Sequence, residues 1–389
     1  PMAETARLHV VRVERTQTDV VWLTERLTRF FQGSTRSVLV PAGSEENPVA
    51  TLEDVERRTV FLPDEVGLVM RTSGSTSAHG RLVGISAAQL LASINATDAR
   101  LGGAGTWVLA LPPNHIAGLQ VVARAAAGDR SVVVVEGKVT PRALSDAIDE
   151  AVRRDPDGRV HLSLVPTQLT DCMDDSVARD ALTRCSAILV GGAATSSQLV
   201  SDARAAGMPI VLTYGMSETC GGCVYDGVPL DGVQVRLDED GRVSLSGPMV
   251  MSGYLDEGPA DDWYLTGDIA HWQDGRLAVD GRADDLIVSG GLKISPSQVA
   301  DAVTATGSVK DCVVVGLPDE RWGQVVTAVV AGCQEPERIR DTVDLPRELR
   351  PQIVVTVEAI PMLASGKVDR LEVRRLAEQA KADGSAWTR

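Results

Sequence analysis

From residue 86 to residue 213 the chain alternates short apolar runs with stretches of helical period. The periodicity predicts helices over 87–100, 116–127, 141–154 and 196–206, and a helical pair just before 187. Between them, apolar runs at 107–111, 131–135, 160–165, 187–190 and 210–213 read as strands. Strands that are apolar on both faces and separated by amphipathic helices imply a parallel sheet covered on both sides. Upstream, a helical period over 20–31 is followed by strands at 37–40 and 66–70, with 45–48 as loop.

The pattern changes after residue 231. Short strands with an Asp240-Gly241 turn and no long helix over 231–254 predict an antiparallel subdomain. The stretch 263–296 then organises the rest. It places Asp268 at a strand edge after a Thr266-Gly267 turn and makes a hairpin through Asp274-Gly275, where positive φ is required. The charged run Arg282-Ala283-Asp284-Asp285 separates two apolar strands, and a Gly290-Gly291 pair precedes Pro296, which suits a first helical turn. Beyond it the reading is a helix over 297–306, strands over 311–316 and 324–330, a helical piece, a strand over 353–357 and a basic terminal helix over 368–381. The stretch reads as a joint between a large domain, 1–282, and a small mobile one, 283–389, with the hinge at about 282–285. The fold class expected is α/β: helix-covered, mostly parallel sheets with a small β-subdomain, followed by a small α+β domain.

Composition narrows the function. A length of 389 residues suits two domains rather than one core. Net charge of −15 excludes a broad nucleic-acid surface, so phosphate chemistry must rely on local donors and a metal. No apolar run reaches the ~20 residues of a membrane helix. The first residues offer no secretion signal, and six scattered cysteines suit a reducing cytoplasm. Cys220-Gly221-Gly222-Cys223 has no second ligand pair for zinc and reads as structural.

Ligands in parallel sheets sit at the carboxyl ends of strands. Three loops carry candidate chemistry there: Pro112-Pro113-Asn114-His115, Gly191-Gly192-Ala193-Ala194 and Tyr214-Gly215-Met216-Ser217-Glu218. Earlier, Thr72-Ser73-Gly74-Ser75-Thr76 follows a strand, and its small residues and hydroxyls suit a phosphate loop, or a simple Ser/Thr turn. His115 could equally cap the helix it opens, Glu218 could cap another, and Lys367 in Ala364-Ser365-Gly366-Lys367 could be an exposed lysine before a helix. Arg124 could meet a second substrate carboxylate, but reads more simply as a helix-surface residue.

Together Tyr264-Leu265-Thr266-Gly267-Asp268, the run 281–299 and Ser365-Gly366-Lys367 resemble the late motifs of the adenylate-forming enzymes, which include the acyl- and aryl-CoA synthetases. The resemblance implies ATP, Mg²⁺ and coenzyme A, a small carboxylic acid as substrate, no nucleic-acid partner, and a domain that swings between two half-reactions; it leaves a homodimer open. Residue by residue it implies phosphate binding by Thr72, Ser73, Gly74, Ser75 and Thr76, and adenine stacking by Tyr214. Gly192 and Gly215 would border the nucleotide, Ser217 would meet the α-phosphate, and Asp268 with Arg282 would hold the ribose. Glu218 is implied as the metal ligand and Lys367 as the catalytic lysine. His115, Gly191, Gly192, Ala193 and Gly215 would border the acyl pocket, Gly290, Gly291 and Lys293 the coenzyme A path, and Asp284 would be the hinge. The phosphate loop departs from the family pattern, since Ser77-Ala78-His79 replaces its usual glycine and lysine, and Arg81 is offered as a substitute. The tract 111–128 is similar to that of the o-succinylbenzoyl-CoA synthetases of menaquinone biosynthesis. The alternatives are a ligase or adenylating enzyme for another acid, or a weakly active nucleotide-binding relative.

Overall fold

The structure is a computed structural model that describes residues 8–35, 37–72, 80–155, 157–363 and 368–388. Two compact units are present, the first comprising 1–192, 203–236 and 244–265, the second 193–202, 237–243 and 266–389.

The first unit holds the predicted parallel sheet. Its seven strands run in the order Val228–Pro229, Gly221–Tyr225, Ile210–Met216, Ala187–Val190, Val160–Leu164, Thr106–Leu109 and Val132–Val134. The last five are parallel. Val160–Leu164 is buried at every position, including the polar His161 and Ser163. The helices that cover the sheet start where side chains can accept orphan N–H groups. Thr140 accepts from the Ala143 amide with Pro141 in the first turn, and Ser86 and Gln89 form a reciprocal capping box.

A second sheet orders Leu8–Arg12, Val38–Ala42, Val66–Arg71, Leu82–Ser86, Gly253–Tyr254 and Gly258–Pro259. Here the expectation for 231–254 needs correcting. Gly253 and Tyr254 do not end an antiparallel subdomain; they pair with Gly84 and Val83 of this sheet. The helix Pro48–Arg58 was not expected, although Asn47 accepts from the Val49 and Ala50 amides and Pro48 fills the first turn. The expected strands around the Asp240-Gly241 turn do occur, and Gln234–Leu237, Arg242–Ser246, Tyr264–Gln273 and Arg276–Arg282 form one sheet in that order. Thr266 and Gly267 lie inside Tyr264–Gln273, so no turn precedes Asp268.

In the second unit, the hairpin at Asp274-Gly275 occurs as read, and the Gly290-Gly291 pair closes a second one. Asp274 and Gly275 (φ 50° and 73°) join one strand pair, and Gly290 and Gly291 (φ 57° and 85°) join Ile287–Ser289 to Leu292–Ile294. The strand Asp311–Asp319 pairs over its whole length with Gly323–Ala331 and feeds two cores on opposite faces. Cys312 and Val314 pack with Val299 and Val303 of helix Pro296–Ala305. Val313, Val315 and Leu317 pack with Val373 and Ala377 of helix Arg370–Asp383. Among the described residues no helix is long and apolar enough to cross a membrane.

Two stability predictions follow from burial. Leu162 is fully buried and flanked in register by Val108 and Ile188, so Leu162→Ala should destabilise the first unit by about 2–5 kcal/mol in urea unfolding. Burial pushes the Asp301 carboxyl up to about 6, above its unfolded value. The folded chain therefore holds that proton longer, and the associated stability is complete below about pH 4 and lost as pH rises through about 6. Asp301→Asn should raise the urea midpoint of the second unit at pH 8 and leave it nearly unchanged at pH 4; equal midpoints at pH 8 would contradict this.

Candidate active site

In the first unit the informative strand ends lie along the seven-stranded sheet. Ile210–Met216 runs further than expected, so Tyr214 and Gly215 lie in the strand and not in a loop. Ser217-Glu218-Thr219 then forms one tight turn, after which Cys220 adopts a left-handed conformation at φ 53°. This reversal lets Gly221 and Gly222 pair antiparallel with Met216 and Gly215. The two strands come so close that a Cβ on Gly215 would lie 2.0 Å from the Gly221 carbonyl oxygen, which is why the position has no side chain. Gly191 is similarly constrained, since its Cβ would lie 2.2 Å from Thr213 Oγ1. Gly192 and Ala193 at the same strand end are exposed.

Glu218 is 7% exposed, low for a carboxylate. Its backbone carbonyl accepts from the Met251 amide at 2.9 Å, and Oε1 accepts from the Tyr254 hydroxyl at 2.7 Å. The Tyr254 and Tyr264 hydroxyls are 3.1 Å apart, and the Arg81 guanidinium lies 3.3 Å from the centre of the Tyr254 ring. Burial beside Glu218 pushes the Tyr264 hydroxyl up to about 12 and the Tyr254 hydroxyl higher, so both remain protonated donors at neutral pH. Thr219 Oγ1 bonds Gly221 O at 2.7 Å and Met216 O at 3.2 Å, closing the turn beneath Glu218.

Thr72 marks the base of the expected phosphate loop. Its amide donates to the Arg81 carbonyl at 3.0 Å, and its hydroxyl accepts from the Arg81 amide at 2.9 Å. Ser73, Gly74, Ser75 and Thr76 lie outside the described residues, as do Ser77-Ala78-His79 and Lys367. Arg81 itself forms an ion pair with Glu257 besides stacking on Tyr254.

His115 occupies the N-cap of helix Ile116–Ala127, but its side chain makes no capping hydrogen bond. The simple capping reading therefore does not account for its imidazole. One turn on, a Cβ at Gly118 would lie 2.2 Å from the Pro112 carbonyl oxygen, so the helix start packs directly on the double-proline loop. Further along the same helix, Gln120 Nε2 donates to Ser93 Oγ at 3.1 Å and to the Cys220 carbonyl. It braces the left-handed residue from behind. Arg124 is not a surface residue as the sequence reading had it. It is 3% exposed, its guanidinium lies 4.9 Å from the Trp107 ring centre, and Nη2 donates to the Tyr225 hydroxyl at 3.4 Å. The helix face that carries it turns inward because both the sheet and helix Ala87–Leu101 pack against it. Cys220 and Cys223 are fully buried, and burial pushes the Cys223 thiol up to about 12, as suits structural cysteines.

In the second unit Asp268 and Arg282 are register partners on adjacent strands. Arg282 Nε also pairs with Asp284 Oδ1 at 2.9 Å, and that hydrogen bond holds the Asp284 carboxyl below the usual carboxylate range. Lys293 pairs with Asp240 at 3.0 Å on the surface. A Cβ on Gly290 would lie 2.9 Å from the Trp322 ring, whose backbone carbonyl accepts from the Gly290 amide at 2.9 Å.

The donor set around Glu218 suits magnesium borne by a nucleotide. Magnesium takes oxygen ligands in an octahedron and commonly binds through one or two carboxylates, with phosphates and water completing the shell. Glu218 supplies one buried carboxylate, and no cluster of three or more acidic, histidine or cysteine ligands occurs among the described residues. Sequence reasoning found Glu218 but gave no role to Tyr254, Tyr264 or Gln120: Tyr254 only follows a glycine, Tyr264 opens the Tyr264–Asp268 motif, and Gln120 sits within an apolar helix face.

Comparison with known proteins places the chain in a family. Residues 4–255 match the AMP-binding enzyme family, and residues 298–367 match the AMP-binding enzyme C-terminal domain. A probable 2-succinylbenzoate–CoA ligase of Mycobacterium tuberculosis is 38% identical over 375 residues, covering 91% of this chain and 95% of that protein. The 2-succinylbenzoate–CoA ligase of Lactococcus lactis is 30% identical over 336 residues, covering 80% of this chain and 72% of that protein. Among solved structures, o-succinylbenzoate CoA synthetase of Bacillus subtilis in complex with its acyl-adenylate intermediate superposes with a TM-score of 0.75 at 21% identity, over 95% of this chain and 88% of that one. ATP-bound MatB of Rhodopseudomonas palustris superposes at 0.78 and 18% identity, over 97% and 90%. At those identities the superpositions speak for the fold. The family match over more than half the length decides the wider question: this chain belongs to the AMP-binding enzyme family.

Proposed function

We propose that this protein is a 2-succinylbenzoate–CoA ligase, an AMP-forming acyl-CoA synthetase that serves menaquinone biosynthesis. The observation that carries the reading is Glu218, a carboxylate buried at a parallel-strand end and gripped at its carbonyl and its carboxylate, in a chain whose likeness to a mycobacterial ligase of that name runs nearly end to end. A cytoplasmic location fits six free cysteines and the substrates ATP and coenzyme A.

The chemistry proceeds in two steps. A carboxylate oxygen of the acid attacks the α-phosphorus of ATP, the bond from that phosphorus to the bridging oxygen breaks, and pyrophosphate leaves with the electron pair. Lys367 acts as a mobile point charge between the two anions, offsetting negative charge as they meet. His115 borders the acid beside Gly191, Gly192, Ala193 and Gly215, and Ser217 meets the α-phosphate. Tyr214 stacks on adenine, and Asp268 with Arg282 holds the ribose hydroxyls. Glu218 would hold a magnesium ion, which would supply positive charge to the departing pyrophosphate alongside the loop from Thr72 to Thr76. In the second step the thiolate of coenzyme A attacks the acyl carbon and the bond to the AMP oxygen breaks. Residues 283–389 pivot at Asp284 to withdraw Lys367 and bring Gly290, Gly291 and Lys293 to the pantetheine path.

The two half-reactions separate these roles. Lys367→Ala should slow ATP–pyrophosphate exchange by roughly 10²–10³ while leaving thioester formation from supplied adenylate within a few fold. Asp284→Pro should do the reverse, since a fixed φ angle obstructs the pivot. Equal losses in both half-reactions for either variant would contradict the assignment of that residue.

A further inference from the structure

We infer that Tyr254 is a positioning residue for the metal-binding carboxylate, coupling Glu218 to the strand that leaves the phosphate loop. The inference rests on the ATP-dependent reading above and adds a residue that the motif reading did not single out.

The segment Met251–Tyr254 grips Glu218 at two points, through the Met251 amide on its carbonyl and the Tyr254 hydroxyl on Oε1. Two points fix both where the residue lies and where its carboxylate aims. One lone-pair direction of Oε1 is taken by the 2.7 Å bond, which turns the remaining lone pairs toward a cation. The same segment belongs to the phosphate-loop sheet. Tyr254 pairs with Val83, Gly253 with Gly84, and the Ser252 amide donates to the Gly84 carbonyl at 2.9 Å. Two residues on, Asp256 accepts from the Leu82 amide and from Arg58. The tyrosine is therefore anchored on Leu82–Ser86, the strand entered directly from the loop whose base is Thr72 and Arg81.

The ring is held as firmly as the hydroxyl. Arg81 stacks on one face at 3.3 Å, Tyr264 meets the ring edge-on with centroids 6.5 Å apart, and the two tyrosine hydroxyls are 3.1 Å apart. Tyr254 is 6% exposed, so its hydroxyl has few water alternatives to Glu218. Groups that orient a metal ligand commonly contribute 10–100-fold to metal affinity. Here the benefit falls on magnesium-dependent nucleotide binding, because the phosphates supply the other metal ligands.

The test is isothermal titration of ATP into the full chain with and without Mg²⁺, for wild type, Tyr254→Phe and Tyr264→Phe, each checked by thermal melting. Tyr254→Phe keeps the ring and its stack but removes the donor. It should weaken ATP binding about tenfold in Mg²⁺ and less than about twofold without it. Tyr264→Phe, which removes a hydroxyl that meets Tyr254 and also acts on Glu218, should shift the same ratio in the same direction by about two- to threefold, and it serves if Tyr254→Phe melts early. ATP affinity that falls equally with and without Mg²⁺, or stays unchanged in both, in either variant, would overturn the positioning role. Wild type that binds ATP with no Mg²⁺ dependence would instead remove the metal reading itself.

Discussion

A carboxylate removed from water is costly unless its oxygens are bonded, and at Glu218 this fold accepts that cost at a strand end. Much of the nearby architecture follows from holding it. The tight turn Ser217–Thr219 presents it, and the left-handed Cys220 reverses the chain so that Gly221 can return beside Gly215. Gln120 and Ser93 reach from two helices to the carbonyl of that strained residue. Tyrosine hydroxyls, rather than a basic side chain, meet the carboxylate among the described residues, which on the proposed reading leaves its charge for the nucleotide's metal. An arginine in the same place would neutralise the site permanently.

That arrangement answers the charge problem posed by the composition. A chain of net charge −15 repels a polyanionic nucleotide at long range. Under the proposed function, binding comes from short-range donors and from a metal that converts the acid on the protein into an attraction. Arg81 shows the same economy. It is paired with Glu257 and stacked on Tyr254, so the residue just before strand Leu82–Ser86 carries a cation whose field is already shared.

What the sequence revealed depends on the range of the interaction responsible. Parallel strands, capped helices and the Asp274-Gly275 hairpin are governed by nearby residues, and each lies where the pattern puts it. Helix Pro48–Arg58 was missed although its Asn-Pro start is local, because the residues before it were read only as loop. Tyr254 was out of reach in a different way. Its importance comes from pairing with Val83 and bonding Glu218, partners 171 and 36 residues away, and a Gly-Tyr pair at the end of an apolar run does not announce either. Arg124 failed for the same reason: an arginine on a helix looks like surface until a tyrosine and a tryptophan from distant strands enclose it. The family motifs supplied Lys367 and the loop 73–76, which lie outside the described residues, and there the assignment of roles stays with the motif.

Acid specificity is set by pocket shape rather than by the motifs that bind the nucleotide. The most direct measurement is mass spectrometry of the protein incubated with Mg²⁺, ATP, coenzyme A and 2-succinylbenzoate, with benzoate and octanoate in parallel. The assignment predicts a 2-succinylbenzoyl-CoA mass that accumulates far faster than either control thioester, together with AMP. AMP release with a control acid but none with 2-succinylbenzoate would contradict it.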